Sequence, residues 1–152
     1  HAYLVSSTGL IFVSQRLLRR ICPHCKVASA PSRGILRQFN LKDVDGDSLV
    51  FYQGKGCDIC NHTGYHDRTG VFEILLVNDA LRSAILERQS RAVIREMAKA
   101  QRLYLPLREA GLIKALNGET TLAEVLGMLS YSEKQSFGEM SFSLGEIEYW
   151  MG

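Results

Sequence analysis

Four cysteines are the residues in this sequence best suited to chemistry. They form two C-x-x-C pairs, Cys22 with Cys25 and Cys57 with Cys60, and together they are all the cysteines among the 152 residues. A C-x-x-C turn directs two thiolates at one point, and two such turns complete the tetrahedral shell that zinc prefers. The spacing therefore predicts one zinc ion held by all four cysteines, with Gly56 permitting the tight turn before Cys57.

A shell of four thiolates has no open position for water, so the predicted site is structural and its metal binding is coupled to folding. The same ligands also suit iron, as in sites of the rubredoxin type. Two disulfides or a redox-active pair are further alternatives, which a cytoplasmic compartment and the presence of two pairs disfavour. Three histidines lie beside the pairs, and we expect them to surround the site or face solvent: His24, His62 and His66.

Two other patterns fall short of a functional motif. The acidic residues 43–47 lack the glycine offset and the final glutamate of a calcium loop, so they are interpreted as a turn. Lys55 stands between two glycines, but no G-x-x-x-x-G-K-[ST] sequence occurs, so the chain has no phosphate loop of that kind. The sequence therefore predicts no catalytic residue and no nucleotide-binding residue in this chain.

The elements that must position the cysteines are indicated by hydrophobic spacing and turn residues. Apolar residues before the first pair recur at helical spacing and predict a helix over residues 8–20. The residues of this stripe are Leu10, Val13, Leu17 and Ile21. Ser32 is suited to cap a short helix over residues 33–41, and strands are predicted over residues 49–52 and 71–77.

The second half of the chain is predicted to be helical. Three helix starts and one helix end are indicated, in this order: Asn78, Ser90, Pro106 and Asn117-Gly118. Residues 121–124 form a capping box, in which the Thr121 hydroxyl and the Glu124 carboxylate each satisfy a free backbone amide of the other residue. A fourth helix is therefore predicted to run to about residue 130.

Basic residues are concentrated at the start of the chain. Residues 1–42 contain seven Lys or Arg and no Asp or Glu, although the whole chain has a net charge of only +2. On the predicted helix, one face carries a large aromatic side chain among arginines, which is typical of the centre of an interface. The candidate interface residues are Phe12, Arg16, Arg19 and Arg20. A negatively charged partner and an ordinary solvated face both remain open as interpretations.

Longer segments around these motifs resemble those of one family. They are residues 15–26 (QRLLRRICPHCK), 56–65 (GCDICNHTGY), 68–74 (RTGVFEI) and 118–125 (GETTLAEV). Over residues 3–130 the chain is similar to the C-terminal region of the motor ATPases of type II secretion and type IV pilus assembly. One departure is Asp67, which stands where that family usually has a glycine.

The resemblance implies an α+β, mostly helical fragment of a larger RecA-like ATPase, with a small zinc-knuckle lobe and short sheet followed by a helical subdomain. The implied domains are a helix linking from the upstream core (1–21), a four-cysteine zinc-binding subdomain (22–77), a helical C-terminal subdomain (78–131) and a tail of unassigned role (132–152). Zinc is the cofactor expected in this chain. ATP and magnesium are expected only in the upstream domain of a hexameric parent.

The resemblance also implies a cytoplasmic location, peripheral to the inner membrane. The implied partners are the parent's own RecA-like domain, neighbouring subunits and inner-membrane platform proteins. The alternative is a zinc-ribbon module that binds nucleic acid through the arginines of residues 14–42, with a strong salt dependence. No set of aromatic residues is interleaved with those arginines for stacking on bases, so nucleic acid is the less favoured partner.

Overall fold

The computed structural model describes residues 9–39, 49–101 and 104–129, and within them the predicted α+β class is confirmed. In chain order the elements are β1 (Ile11–Ile21), β2 (Lys26–Ser29), α1 (Arg33–Gln38), β3 (Phe51–Gly54), a 3-10 turn (Asp58–Cys60), β4 (Tyr65–Leu76), α2 (Asp79–Leu86), α3 (Arg91–Lys99), α4 (Leu107–Leu116) and α5 (Leu122–Met128). None of the helices in these ranges combines the length and apolar character needed to cross a membrane. The predicted turn at 43–47 and the tail at 132–152 lie outside the described residues.

The chain divides into two compact units. The first unit contains the chain up to Gln15 together with Phe72–Leu107, and the second contains Arg16–Val71 together with the chain from Arg108 onward. The division falls inside β1 and inside β4, so each unit includes part of both long strands. Helices α2 and α3 belong to the first unit, whereas all four cysteines and α5 belong to the second.

The first element is a strand, so the predicted helix over residues 8–20 is wrong. Strand β1 pairs with β4 in a two-stranded sheet. Two backbone bonds mark the ends of this pairing, from the Val77 amide to the Leu10 carbonyl and from the Cys22 amide to the Gly64 carbonyl, each 3.0 Å long. Since the late residue of β4 meets the early residue of β1, the strands run in opposite directions.

The helical spacing in this segment does not correspond to a buried face. Val13 and Leu17 are 59% and 57% exposed, whereas Leu18, outside the predicted stripe, is 1% exposed. Ile11 and Val13 are β-branched, and such side chains fit a pleated strand better than a helix. The backbone bonds that decide the outcome come from β4, a distant segment that the local period of β1 does not reveal.

Strand β4 contains a β-bulge at Asp67. Between the two end bonds, β4 uses one residue more than β1. Asp67 has a φ of +67°, in the left-handed region that glycine adopts most easily. An extra residue in this conformation is the geometry of a bulge that begins with a left-handed residue. A glycine would suit this position because it adopts a positive φ without steric cost. Asp67 adopts that φ although it has a Cβ atom.

Strands β2 and β3 form a second antiparallel sheet, in which Lys26 lies opposite Gly54 and Ser29 lies opposite Phe51. The strands predicted over residues 49–52 and 71–77 are therefore present with different bounds, Phe51–Gly54 and Tyr65–Leu76. Strand β4 begins earlier than predicted because it continues to pair with β1 up to the loop that holds the second cysteine pair.

The helices begin at the predicted caps. A side-chain oxygen accepts a hydrogen bond from the amide three residues later at Ser32, Asn78, Ser90 and Thr121. Helix α4 begins at Leu107, directly after Pro106, and ends before Gly118, whose φ is +69°. These signals were readable in the sequence because a cap depends only on the residues next to it.

Each unit has its own buried apolar side chains. In the first unit they include Val77, Leu81, Ala84 and Ala98. In the second unit they include Leu18, Cys22, Phe39, Val71, Leu112 and Val125. The cysteine cluster is thus attached to a packed core through Cys22, which is itself fully buried.

Candidate metal centre

The four cysteines are positioned by the ends of three elements. Cys22 directly follows β1 and Cys25 directly precedes β2, so the first pair lies in the turn between these strands. Cys57 directly precedes the 3-10 turn between β3 and β4, and Cys60 is the last residue of that turn. Because β2 pairs with β3, the two turns are brought to the same end of that sheet. The cluster therefore joins segments that are far apart in the sequence.

The sulfur atoms lie at distances that suit one tetrahedral ion. The Sγ atoms of Cys22 and Cys57 are 3.9 Å apart, as are those of Cys25 and Cys60, and those of Cys57 and Cys60 are 3.7 Å apart. All four lie within 4.8 Å of one another. Zinc–sulfur bonds of about 2.3 Å in a tetrahedron require sulfurs about 3.8 Å apart. A disulfide needs sulfurs about 2.05 Å apart, so these thiols are free.

Backbone amides point at two of the sulfurs. The Gly56 amide donates to Cys25 Sγ at 3.3 Å. The amides of Cys57 and Gly64 donate to Cys60 Sγ at 3.2 and 3.3 Å. Such bonds stabilise negative charge on sulfur, which a metal-binding thiolate requires.

The two sulfurs that receive these bonds differ in acidity. Burial acts to raise the pKa of the Cys60 thiol, but hydrogen bonds from the Cys57 and Gly64 amides, together with contacts to the Cys57 and Cys25 sulfurs, outweigh it and lower the pKa to about 6. At Cys25 burial prevails over the Gly56 amide and raises the pKa to about 11. The cluster thus favours a thiolate at Cys60 before any metal is bound, and a bound cation would favour deprotonation of the others.

Close backbone contacts hold the second cysteine loop against β3. A Cβ atom added to Gly54 would lie 2.0 Å from the carbonyl oxygen of Gly64. That carbonyl accepts the bond from the Cys22 amide, and the Gly64 amide donates to Cys60. Gly54 therefore allows β3 to approach the residue that connects both cysteine pairs.

The three histidines beside the cysteines lie outside the sulfur cluster, as expected. His24 is exposed. His62 forms an exposed pair with Asp58 at 3.2 Å, and His66 forms one with Asp67 at 3.1 Å. The four cysteines therefore complete the candidate ligand set among the described residues.

The candidate interface residues do not form one helical face, because they lie on β1. Successive side chains of a strand point to opposite faces, so Arg19 and Arg20 are separated. Arg19 is engaged within the chain, with its guanidinium 4.1 Å from the centre of the Tyr65 ring. Phe12, Arg16 and Arg20 are exposed. That these residues contact a partner stays a prediction.

Sequence reasoning missed a polar cluster that connects β1 to the start of α5. Arg19 donates hydrogen bonds to the Glu124 carboxylate from its backbone amide and its guanidinium. The Thr120 hydroxyl donates to the Arg19 carbonyl at 2.8 Å, and the hydroxyls of Tyr65 and Thr121 are 3.0 Å apart. The capping box at residues 121–124 was the sequence signal that pointed to this region. Its Thr121 half forms as predicted, whereas Glu124, expected at the Thr121 amide, binds Arg19.

Comparisons with known proteins agree on one family. A family model described as Type II/IV secretion system protein matches residues 1–127. The Type IV pilus assembly ATPase PilB of Thermus thermophilus is 42% identical over 122 residues. The Type II secretion system ATPase E of Vibrio cholerae is 39% identical over 125 residues, and the Type II secretion system protein E of Klebsiella pneumoniae is 38% identical over 124 residues.

These matches cover most of this chain and a small part of each relative. They cover 80% of the chain for the Thermus protein and 82% for the other two. The matched region is 14% of the length of the Thermus protein and 24% of the length of the Vibrio and Klebsiella proteins. The chain therefore corresponds to a limited region of proteins that are much longer.

Proposed function

We propose, from the premise that this chain belongs to the Type II/IV secretion system protein family, that it is the zinc-stabilised scaffold of a motor ATPase. The full-length parent protein would be a hexamer that uses ATP to assemble type II secretion pseudopili or type IV pili. A relative named for type IV pilus assembly and one named for type II secretion match to a similar extent, so the proposal covers both systems.

The observation that carries the scaffold role is the sulfur cluster. Its Sγ distances of 3.7–3.9 Å match a tetrahedral zinc site, and four thiolates leave no position for a substrate. When bound, zinc would cross-link the two cysteine turns. Cys22 and Cys25 would thereby hold the turn between β1 and β2, and Cys57 and Cys60 would hold the loop that leads into β4.

An exposed apolar face supports docking against the rest of the parent. The Val77–Leu10 bond sets the register of the first unit, so Ile11 lies opposite Leu76 and Val13 lies opposite Ile74. Side chains on this face are 48–61% exposed: Ile11, Val13, Phe72, Ile74 and Leu76. A contiguous apolar sheet surface of this kind marks an interaction site. The proposed occupant is the RecA-like ATPase domain, since relatives contain a much longer chain than the matched region.

The catalytic steps are proposed to occur outside this chain. ATP and magnesium would bind the RecA-like domain, and this chain would transmit its movement to neighbouring subunits and inner-membrane platform proteins. The proposed location is the cytoplasmic side of the inner membrane. In this proposal the described residues stabilise the parent protein and connect its parts, and none of them contacts the reacting phosphates.

The test is made in the full-length parent, in the organism that encodes it. Deletion of the parent gene is expected to abolish secretion through a type II system or the formation of type IV pili. Cys57→Ser is expected to lower zinc content and the same cellular activity, whereas His24→Ala, beside the site but outside the sulfur cluster, is expected to preserve both. Intact secretion and intact piliation in the deletion strain would contradict the motor role.

A further inference from the structure

A pocket with a volume of about 240 Å³ opens on the second unit, at the end of β1 and the start of β2. Three basic side chains from three different strands line it, Arg20 from β1, Lys26 from β2 and His66 from β4. Pro23 and the turn after α4 complete the wall. The first pair of cysteines and the pocket therefore share one loop, but no cysteine lines the pocket.

Arg20 has no partner within the described part of the chain. Neither an ion pair nor a side-chain hydrogen bond involves its guanidinium in residues 9–39, 49–101 and 104–129. The adjacent Arg19 differs, because it binds Glu124 and stacks on Tyr65. The N–H donors of the planar Arg20 guanidinium are thus available to an external acceptor with several oxygens.

Lys26 is held in the pocket by uncharged neighbours. Its Nζ lies 4.2 Å from the centre of the Tyr52 ring, in a cation–π contact. A Cβ atom added to Gly118 would lie 2.3 Å from the same Nζ, so the ammonium packs directly against this glycine. The turn that brings Gly118 there needs its φ of +69°. Lys26 is therefore positioned without an acidic partner.

The two acidic side chains that line the pocket already have basic partners. Glu119 Oε2 accepts from Lys114 Nζ at 2.9 Å and from the Thr69 hydroxyl at 3.3 Å. Asp67 Oδ2 lies 3.1 Å from His66 Nδ1, and this contact orients the imidazole ring. Neither carboxylate forms an ion pair with Arg20 or Lys26, so these two positive charges line the pocket without an acidic partner among the described residues.

We propose that this pocket binds a phosphate group, either free or at the end of a nucleotide. A planar carboxylate is satisfied by one arginine fork, whereas a tetrahedral phosphate offers oxygens to groups that approach from several sides. Here an arginine fork from β1 and a lysine point charge from β2 line the same pocket. The pocket is separate from the sulfur cluster, and its ligand is independent of the proposed motor role.

The test is calorimetric titration of the zinc-loaded chain at fixed, low ionic strength. The probes are inorganic phosphate, pyrophosphate, ADP, adenosine and glutarate. Arg20→Gln and Lys26→Met are each expected to weaken phosphate or pyrophosphate binding by about tenfold, the loss of one charge-assisted contact. Arg33→Gln is the matched control, because it removes one exposed positive charge of the same unit outside the pocket, and it is expected to bind like the unaltered chain.

The outcomes distinguish a free phosphate from a nucleotide, and both from a pocket that binds no phosphate group. Equal binding of pyrophosphate and ADP supports a free phosphate ligand, and tighter binding of ADP with none of adenosine supports a nucleotide. Three results overturn the proposal: glutarate binding as tightly as phosphate, an equal loss of binding in Arg33→Gln, or no phosphate binding in the folded chain. Arg20→Gln keeps the test decisive if Lys26→Met disturbs the packing on Tyr52, since the Arg20 side chain supports no described contact.

Discussion

The guanidinium of Arg19 pairs with the carboxylate of Glu124, although the two residues are 105 positions apart in the sequence. The pair fastens the end of β1 to the first turn of α5, and the Arg19 amide donates to the same carboxylate at 3.2 Å. Glu124 is mostly buried and Arg19 remains half exposed. Hydrogen bonds to a partly desolvated charge contribute more than a fully exposed pair, so this contact is expected to stabilise the second unit.

Glu124→Gln is expected to lower the free energy of unfolding by about 1 kcal/mol at pH 7. The hydrogen bond from Arg19 outweighs burial and holds the pKa of Glu124 below its usual value of 4.5. A carboxyl group with a lowered folded-state pKa stabilises the fold above its unfolded pKa, and this contribution is lost as the pH falls through the folded pKa. Urea unfolding at pH 7 and at points below pH 4.5 should therefore show a difference between variant and original chain that shrinks with acid.

The control for this prediction is Glu96→Gln. Glu96 forms an exposed pair with Lys99 at 2.7 Å within one helix. Its loss is expected to cost less than about 0.5 kcal/mol. Equal destabilisation by both variants would mean that the Arg19 contact adds nothing beyond an ordinary surface pair.

One zinc ion per chain is expected by elemental analysis of reduced protein purified without chelator. The sulfur distances of 3.7–3.9 Å provide a complete tetrahedral shell. Cys57→Ser is expected to lose the ion, because three thiolates remain, whereas His24→Ala should retain it. A stoichiometry near zero, or iron in place of zinc, would refute the assignment.

Gly54→Ala is expected to destabilise the zinc-binding region by on the order of 3 kcal/mol and to weaken zinc binding. The added Cβ would lie 2.0 Å from the Gly64 carbonyl oxygen, a backbone atom that cannot move without disturbing the cysteine loop. Gly127→Ala is the matched control, because nothing lies within 4 Å of its added Cβ in helix α5. Thermal unfolding and chelator competition measure the two effects, and similar behaviour of both variants would contradict the close contact.

Asp67→Gly is expected to stabilise the chain by about 1 kcal/mol, since φ of +67° is costly for a residue with a Cβ. Asp67→Ala should give no such gain, because alanine keeps the Cβ and also loses the bond to His66. Chemical unfolding of the two variants decides the matter. Greater stability in the alanine variant would argue against backbone strain at the bulge.

Ile74→Asp in the full-length parent is expected to lower ATPase activity and fibre assembly at unchanged zinc content. Ile74 is exposed at the centre of the apolar β1–β4 face that is proposed to contact the RecA-like domain. Leu86→Asp, an exposed apolar residue of α2, is the control and should leave both activities intact. In this chain by itself, both variants should unfold like the original. Normal ATPase activity with Ile74→Asp would assign the face to another partner.

The sequence by itself determined the features that depend on neighbouring residues. The two C-x-x-C pairs identified the candidate ligands, because each turn brings its own two sulfurs together. The caps at Asn78, Ser90 and Thr121 were predicted correctly for the same reason, as a cap binds an amide only three residues away. The stop at Gly118 likewise follows from the preference of glycine for a positive φ.

Only the tertiary structure decided the features that depend on distant partners. Ile11–Ile21 has a spacing compatible with a helix, but pairing with β4 makes it a strand and places Arg19 and Arg20 on opposite faces. Glu124 was expected to complete a local capping box, yet Arg19 approaches and takes its carboxylate. Backbone and side-chain groups take the partners that the whole fold brings within reach, and local periodicity contains no information about a partner many residues away.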